Sequence, residues 1–241
     1  MAYAEQLTPL DRIARGEWPT LALVGVGLLL PVIPILATLI QPFSDPRWFY
    51  HDPLRAAEIA PECCKVYFGA MSMLGVMMWA ATAATCLFTA LMLFLTGLSP
   101  RLKRFAFAGG LLTAWMTLDD AFLLHENVLP ALGVPQNAVL AAYGLLGLGY
   151  TWMARSYLRS VDGIFFFGAC LGFAVSIGVD VVLLHTPSST AIVVEDGAKF
   201  FGIWYWMVFH GAVLTRGLLF EESASQPVVE HADLATGHQT A

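Results

Sequence analysis

The segment TLDDAFLLHENVLP, residues 117–130, places two aspartates, a histidine and a glutamate within eight residues. Carboxylates beside an imidazole suit proton transfer, general acid–base work or a divalent metal. Two later segments carry the same residue types. SIGVDVVLLH, residues 176–185, holds Ser176, Asp180 and His185, and VVEDGAKFFGIWYWMVFHG, residues 193–211, holds Glu195, Asp196, Lys199 and His210. Two histidines with one or more carboxylates form the mixed ligand set of catalytic zinc, with one position left for water. Such a water approaches neutral pKa and hydrolyses an ester or amide. In that chemistry Asp119, Asp120, His125, Asp180 and His185 are the ligand candidates. Glu126 or Glu195 is the base, and Lys199 the electrophilic or charge-balancing group. Asp120 and His125 are five residues apart, as are Asp180 and His185, so each pair lies about 140° apart around a helix. One helix cannot chelate through both, and the ligands must come from different helices.

The elements that hold these residues follow from composition. Of 241 residues, 58% are hydrophobic and only 12% charged, with a mean hydropathy of +0.68. A soluble domain carries about 25% charged residues. Long apolar runs recur, each able to cross a hydrocarbon core roughly 30 Å thick as a helix. The sequence predicts an all-α polytopic membrane protein with six transmembrane helices, over residues 21–40, 66–98, 105–129, 138–158, 163–184 and 191–220. Residues 1–20 are expected to form a cytoplasmic leader and residues 221–241 a disordered cytoplasmic tail. The first apolar run is too long, and starts too far in, for a cleaved signal.

Lysine and arginine bias sets the orientation. Arg12, Arg15, Arg101, Lys103, Arg104, Arg155, Arg159 and Arg216 fall on one side, and Arg47, Arg55, Lys65 and Lys199 on the other. Eight against four places both termini in the cytoplasm of an inner (plasma) membrane protein. The net charge of −6 and the lack of a basic stripe exclude nucleic acid as a partner. Residues 41–65 form the long external loop, whose Trp48, Phe49 and Tyr50 suit the headgroup region. Cys86 and Cys170 read as small buried hydrophobes. Adjacent Cys63 and Cys64 read as an ordinary thiol pair or a vicinal disulfide.

In this topology the acids and imidazoles of the third, fifth and sixth spans share the outer portion of the membrane. Charges there are costly, about 2.5–3.5 kcal/mol each at the bilayer centre, so one shared polar site, open to the outside, is expected. Several of its members also have plainer readings. Glu195 and Lys199 are spaced for an i,i+4 ion pair, His185 and Glu126 for wetting at the interface, and His210 for a hydrogen-bonded core position.

EDGAK, residues 195–199, resembles the E-E-x-x-K signature of PrsW-type intramembrane metalloproteases, with Asp196 in place of the second glutamate. FLLHE, residues 122–126, fits that family's F-x-x-x-E pattern. The family's order begins with E-E-x-x-K and closes with H-x-x-x-D; here EDGAK comes last and H-x-x-x-D is absent. Ser176, Asp180 and His185 are similar to the intramembrane Ser, Asp and His of ceramidase-like multi-span hydrolases. Both resemblances imply a metal-dependent hydrolase with zinc as cofactor, acting on a lipid or peptide at the bilayer. The residues themselves also allow a cation or proton transporter or relay, or a non-catalytic subunit of a membrane complex whose polar groups lock helices together.

Overall fold

The computed structural model describes residues 18–61, 65–160, 162–183 and 188–225. Among the described residues the regular structure is entirely helical. Pro31 and Pro34 divide the first apolar run into α1 (Trp18–Leu29) and α2 (Val32–Ile40). Proline at position 31 has no N–H and clashes with the carbonyl four residues back. That carbonyl, on Gly27, instead accepts the Trp204 indole N–H at 2.7 Å, and the next one, on Leu28, accepts the Tyr205 hydroxyl at 3.0 Å.

Two short helices follow, α3 (Arg47–Tyr50) and α4 (Pro53–Ile59), the second capped by Asp52, whose carboxylate accepts from Leu54 N–H. They form a cap over one end of the bundle. Phe49 and Tyr50 are 8% and 1% exposed, and the Tyr50 hydroxyl is hydrogen-bonded to Thr38 at 2.8 Å. The aromatic run thus packs inward against the helices Ala70–Thr96 and Ser189–Ser225; only Trp48 keeps partial exposure, stacked on Phe68. This corrects the expectation that all three rings lie among headgroups.

The long helices are α5 (Ala70–Thr96), α6 (Pro100–Phe122), α7 (Gln136–Ala154), α8 (Gly163–Leu183) and α9 (Ser189–Ser225). Left-handed glycines bound α5, Gly69 before it and Gly97 after it, the second a frequent helix stop. Among the described residues α5 and the Gly163–Val181 part of α8 are long and apolar enough to cross a membrane. A third span results if α6 and the turns at Leu124–Ala131 are taken together across their 65° bend. Outward-facing apolar side chains such as Phe88, Phe94, Leu145, Trp152, Phe167 and Leu171 are all more than half exposed, a surface that suits lipid better than water.

Inside, α5 packs on α6 and α8 on α9. Gly172 of α8 lies so close to Ala198 and Gly202 of α9 that an added Cβ would meet backbone at 2.7 Å. Such contact between small residues is how membrane helices gain packing energy. Rings of Phe105, Tyr150, Phe166, Trp206 and Phe209 fill the centre. Cys86 is buried as expected, whereas Cys170 is exposed on the outer face of α8. Helix α9 continues to Ser225, so residues 221–225 are helical where a disordered tail is expected. Residues 1–17 of the leader, the Cys63–Cys64 pair, His185 and residues 226–241 lie outside the described residues.

Candidate functional site

Helix α6 does not run on to Pro130 as a single rod. It stops at Leu123, which takes left-handed angles (φ 50°, ψ 45°), and a π-helical turn, Leu124–Val128, carries the chain off at an angle. A leucine in this region costs about 1–2 kcal/mol, so the surroundings must hold it there. Asp119 does much of that holding. It is 3% exposed, and its Oδ1 accepts the His125 backbone N–H at 2.9 Å and the Tyr143 hydroxyl at 2.8 Å. Its Oδ2 lies 2.6 Å from His125 Nδ1. The His125 ring is thereby fixed, with Nδ1–H donating to Asp119 and Nε2 turned toward Glu126, 3.6 Å away. On a continuous helix residues 119 and 125 would lie on different faces; the break brings them together.

Asp120 faces a different partner set. The Trp79 indole N–H of α5 donates to Oδ2 at 2.8 Å, and Lys199 Nζ of α9 lies 2.8 Å from Oδ1. The expected i,i+4 pairing of Glu195 with Lys199 is therefore replaced by an ion pair across helices. Trp79 itself stacks on Phe173, which keeps its N–H aimed at the carboxylate. A cavity of about 30 Å³, room for one water, lies between Asp120, Asp196 and Lys199.

The remaining acids stand apart from these pairings. Among the described residues none donates a hydrogen bond to Glu126, Asp180, Glu195 or Asp196. Asp180 and Glu126 nonetheless lie near enough to Glu195 to act on it electrostatically, opposed by Lys199 and Arg55, and Lys199 acts on Asp196 ahead of Glu195, Glu126 and Asp120. Ser176 is buried one turn before Asp180 on α8. The site therefore gathers six carboxylates around one lysine and one histidine, with Arg55 of the cap within electrostatic reach of Glu195. Tyr50 of the cap closes over its edge, against Gly197.

Of the expected metal ligands, Asp119, Asp120, His125 and Asp180 are described and His185 is not. Asp119 and Asp120 have both oxygens engaged by protein donors. Among the described residues no group of three or more His, Cys, Asp and Glu side chains converges to hold a metal ion.

His210 belongs to a second layer. It is 1% exposed, its Nδ1–H donates to the Trp206 carbonyl at 2.8 Å, and its Nε2 accepts the Tyr150 hydroxyl at 2.6 Å. Trp206 N–H in turn donates to Thr113, whose hydroxyl donates to the Gly109 carbonyl. Nearer the other end, Arg216 pairs with buried Asp162 at 2.9 Å. Tyr143, Trp79, Tyr150 and Asp162 are functional neighbours that the sequence reading missed. Tyr143 and Tyr150 had a signal, since seven residues apart they share a face of α7. Trp79 had none, as an indole in an apolar helix reads as packing.

The family model described as a domain of unknown function (DUF8692) matches residues 16–213, which include the six acids, His125, Lys199 and His210 but not Arg216. The chain belongs to the DUF8692 family. No curated protein and no solved structure matches it.

Proposed function

We propose that this DUF8692 protein is an integral membrane proton relay, with protons entering at the Asp119–His125–Glu126 chain. The observation that carries this reading is the imidazole of His125, held by Asp119 on one nitrogen and facing Glu126 with the other. A carboxylate that fixes one ring nitrogen leaves the second free to take and give a proton. The acids in excess of the bases supply further groups that can take and give a proton along the bundle. Tyr150 with His210, then Asp162 with Arg216, continue the polar groups along the bundle. In this reading all six helical elements cross an inner (plasma) membrane, α1 and α2 as one bent span, with the site on the outer side and both termini cytoplasmic, as the basic-residue bias requires.

Infrared difference spectra between about pH 5 and about pH 8, where an ordinary imidazole changes charge, test the site. Carboxyl and imidazole bands should change together in the wild type. Glu126→Gln and His125→Gln should each remove part of that change. Identical spectra from all three proteins would remove these residues from the relay.

A second reading, metal-dependent hydrolysis of a lipid or peptide, has one observation in its favour. Asp119 orients His125 as carboxylates orient zinc-binding imidazoles, leaving Nε2 free. Near-stoichiometric zinc in protein purified without a histidine tag would favour it, and metal-free protein would end it.

A further inference from the structure

The seam between α5 and α9 holds two openings that share Phe200 as a wall. One is the small polar cavity at Asp120, Asp196 and Lys199. The other is an apolar groove of about 270 Å³ beneath the Pro31 elbow, bounded by Leu74, Met78, Trp204 and Met207. Along α5, Met71, Leu74, Gly75 and Met78 stand at i, i+3, i+4 and i+7, so one helix face floors both openings. The groove has no polar lining, whereas its neighbour sets Asp120, Asp196 and Lys199 among apolar side chains. A ligand occupying both is an amphiphile, apolar toward Pro31 and polar toward Asp196.

Charge fixes the kind of head. Lys199 is bonded to Asp120 and acts on Asp196 as well, yet Asp196 receives no hydrogen bond from a described residue and has Glu195, Glu126 and Asp120 close by, so carboxylates outnumber the one lysine. An anionic head would meet this surplus of carboxylates; an ammonium would relieve it and supply the missing donors. We propose that the α5–α9 seam binds a single-chain amphiphile with a protonated primary amine head, the ammonium at Asp196 and the chain running past Phe200 into the groove. Bulk acyl chains satisfy the apolar part alone, so dependence on the head is what marks a built site. The proposal does not depend on proton transfer.

The probe is octadecylamine carrying a mid-chain diazirine, photolysed with full-length protein in phosphatidylcholine liposomes. The expected labels fall on the segments that carry Leu74–Met78 and Trp204–Met207. Plain octadecylamine should compete them away and octadecanoic acid should not. Asp196→Asn should weaken labelling about tenfold, the loss of a charge-assisted contact worth about 1.4 kcal/mol. Met207→Trp and Leu74→Trp, which fill the groove without touching an ionisable group, should each abolish it. Equal labelling by the matching carboxylic acid probe, or labelling unchanged in Asp196→Asn, would mean that ordinary acyl chains fill the groove and would overturn the proposal. Labelling without proton flux would leave this proposal standing and remove the relay, and flux without amine-specific labelling would do the reverse.

Discussion

At the scale of single residues, neighbouring Asp119 and Asp120 do different work. Asp119 satisfies three donors and stabilises a bend, while Asp120 receives an indole N–H and neutralises Lys199. Asp119→Asn replaces one acceptor oxygen by an amide that cannot accept, so a buried donor loses its partner. The expected loss is about 1–3 kcal/mol, seen as a lower unfolding midpoint in detergent. Lys199→Met leaves Asp120 without its cation. Breaking a buried pair costs about 3–5 kcal/mol, and the lower end applies here because a third of the Lys199 side chain is exposed. Adding Asp120→Asn to Lys199→Met should recover most of that loss. A double variant as unstable as the single would show that the Asp120–Lys199 pair is not what Lys199 stabilises. The acids and His125 were legible in the sequence as polar residues that share one end of the bundle. Their partners were not, because a helical wheel assumes a continuous helix and Leu123 breaks this one.

At the scale of elements, proline breaks and left-handed turns carry the fold. Trp204→Phe should cost about 1–3 kcal/mol by orphaning the Gly27 carbonyl. In a Pro31→Ala background the backbone N–H at position 31 returns, and the same change should cost clearly less. Additive losses in that cycle would show that the indole does not serve the proline break. The cap depends on Gly69, whose φ of +68° and contact with the Pro53 ring, 2.5 Å from an added Cβ, exclude a side chain. Gly69→Ala should therefore destabilise more than Gly97→Ala, where φ is similar but space is open. The cap should also respond to pH. Burial, then Arg55 and Arg47, holds the His51 imidazole below its ordinary 6.5. The unfolded segment thus binds more protons than the folded cap, so the stability that His51 contributes is complete above about pH 6.5 and is lost as pH falls toward its folded value. His51→Gln should flatten the acid side of a stability–pH profile in detergent, and an unchanged slope would place the titration elsewhere. The positions of the long helices were readable from apolar run lengths, including proline inside the first. The cap was not, since an aromatic run suits a headgroup layer as well as a packed lid.

The whole molecule is a bundle with most of its buried acids gathered at the capped end and most of its arginines toward the other. Composition alone made the all-helical, lipid-suited architecture legible, because 12% charged residues cannot cover a soluble surface. Sidedness is open to a direct check. In a background without cysteine, Glu58→Cys on the cap should react with an impermeant maleimide in intact cells, and Arg159→Cys only after permeabilisation. The reverse pattern would invert the orientation. The central claim is proton transfer through His125, and proton entry into liposomes enclosing a pH-sensitive dye tests it most directly. Liposomes holding the protein should acidify faster than protein-free ones after an external acid pulse. His125→Gln should slow the protein-dependent rate on the order of a hundredfold, the scale of losing a positioned acid–base group. Acidification no faster than in protein-free liposomes, or a rate untouched by His125→Gln, would contradict that claim.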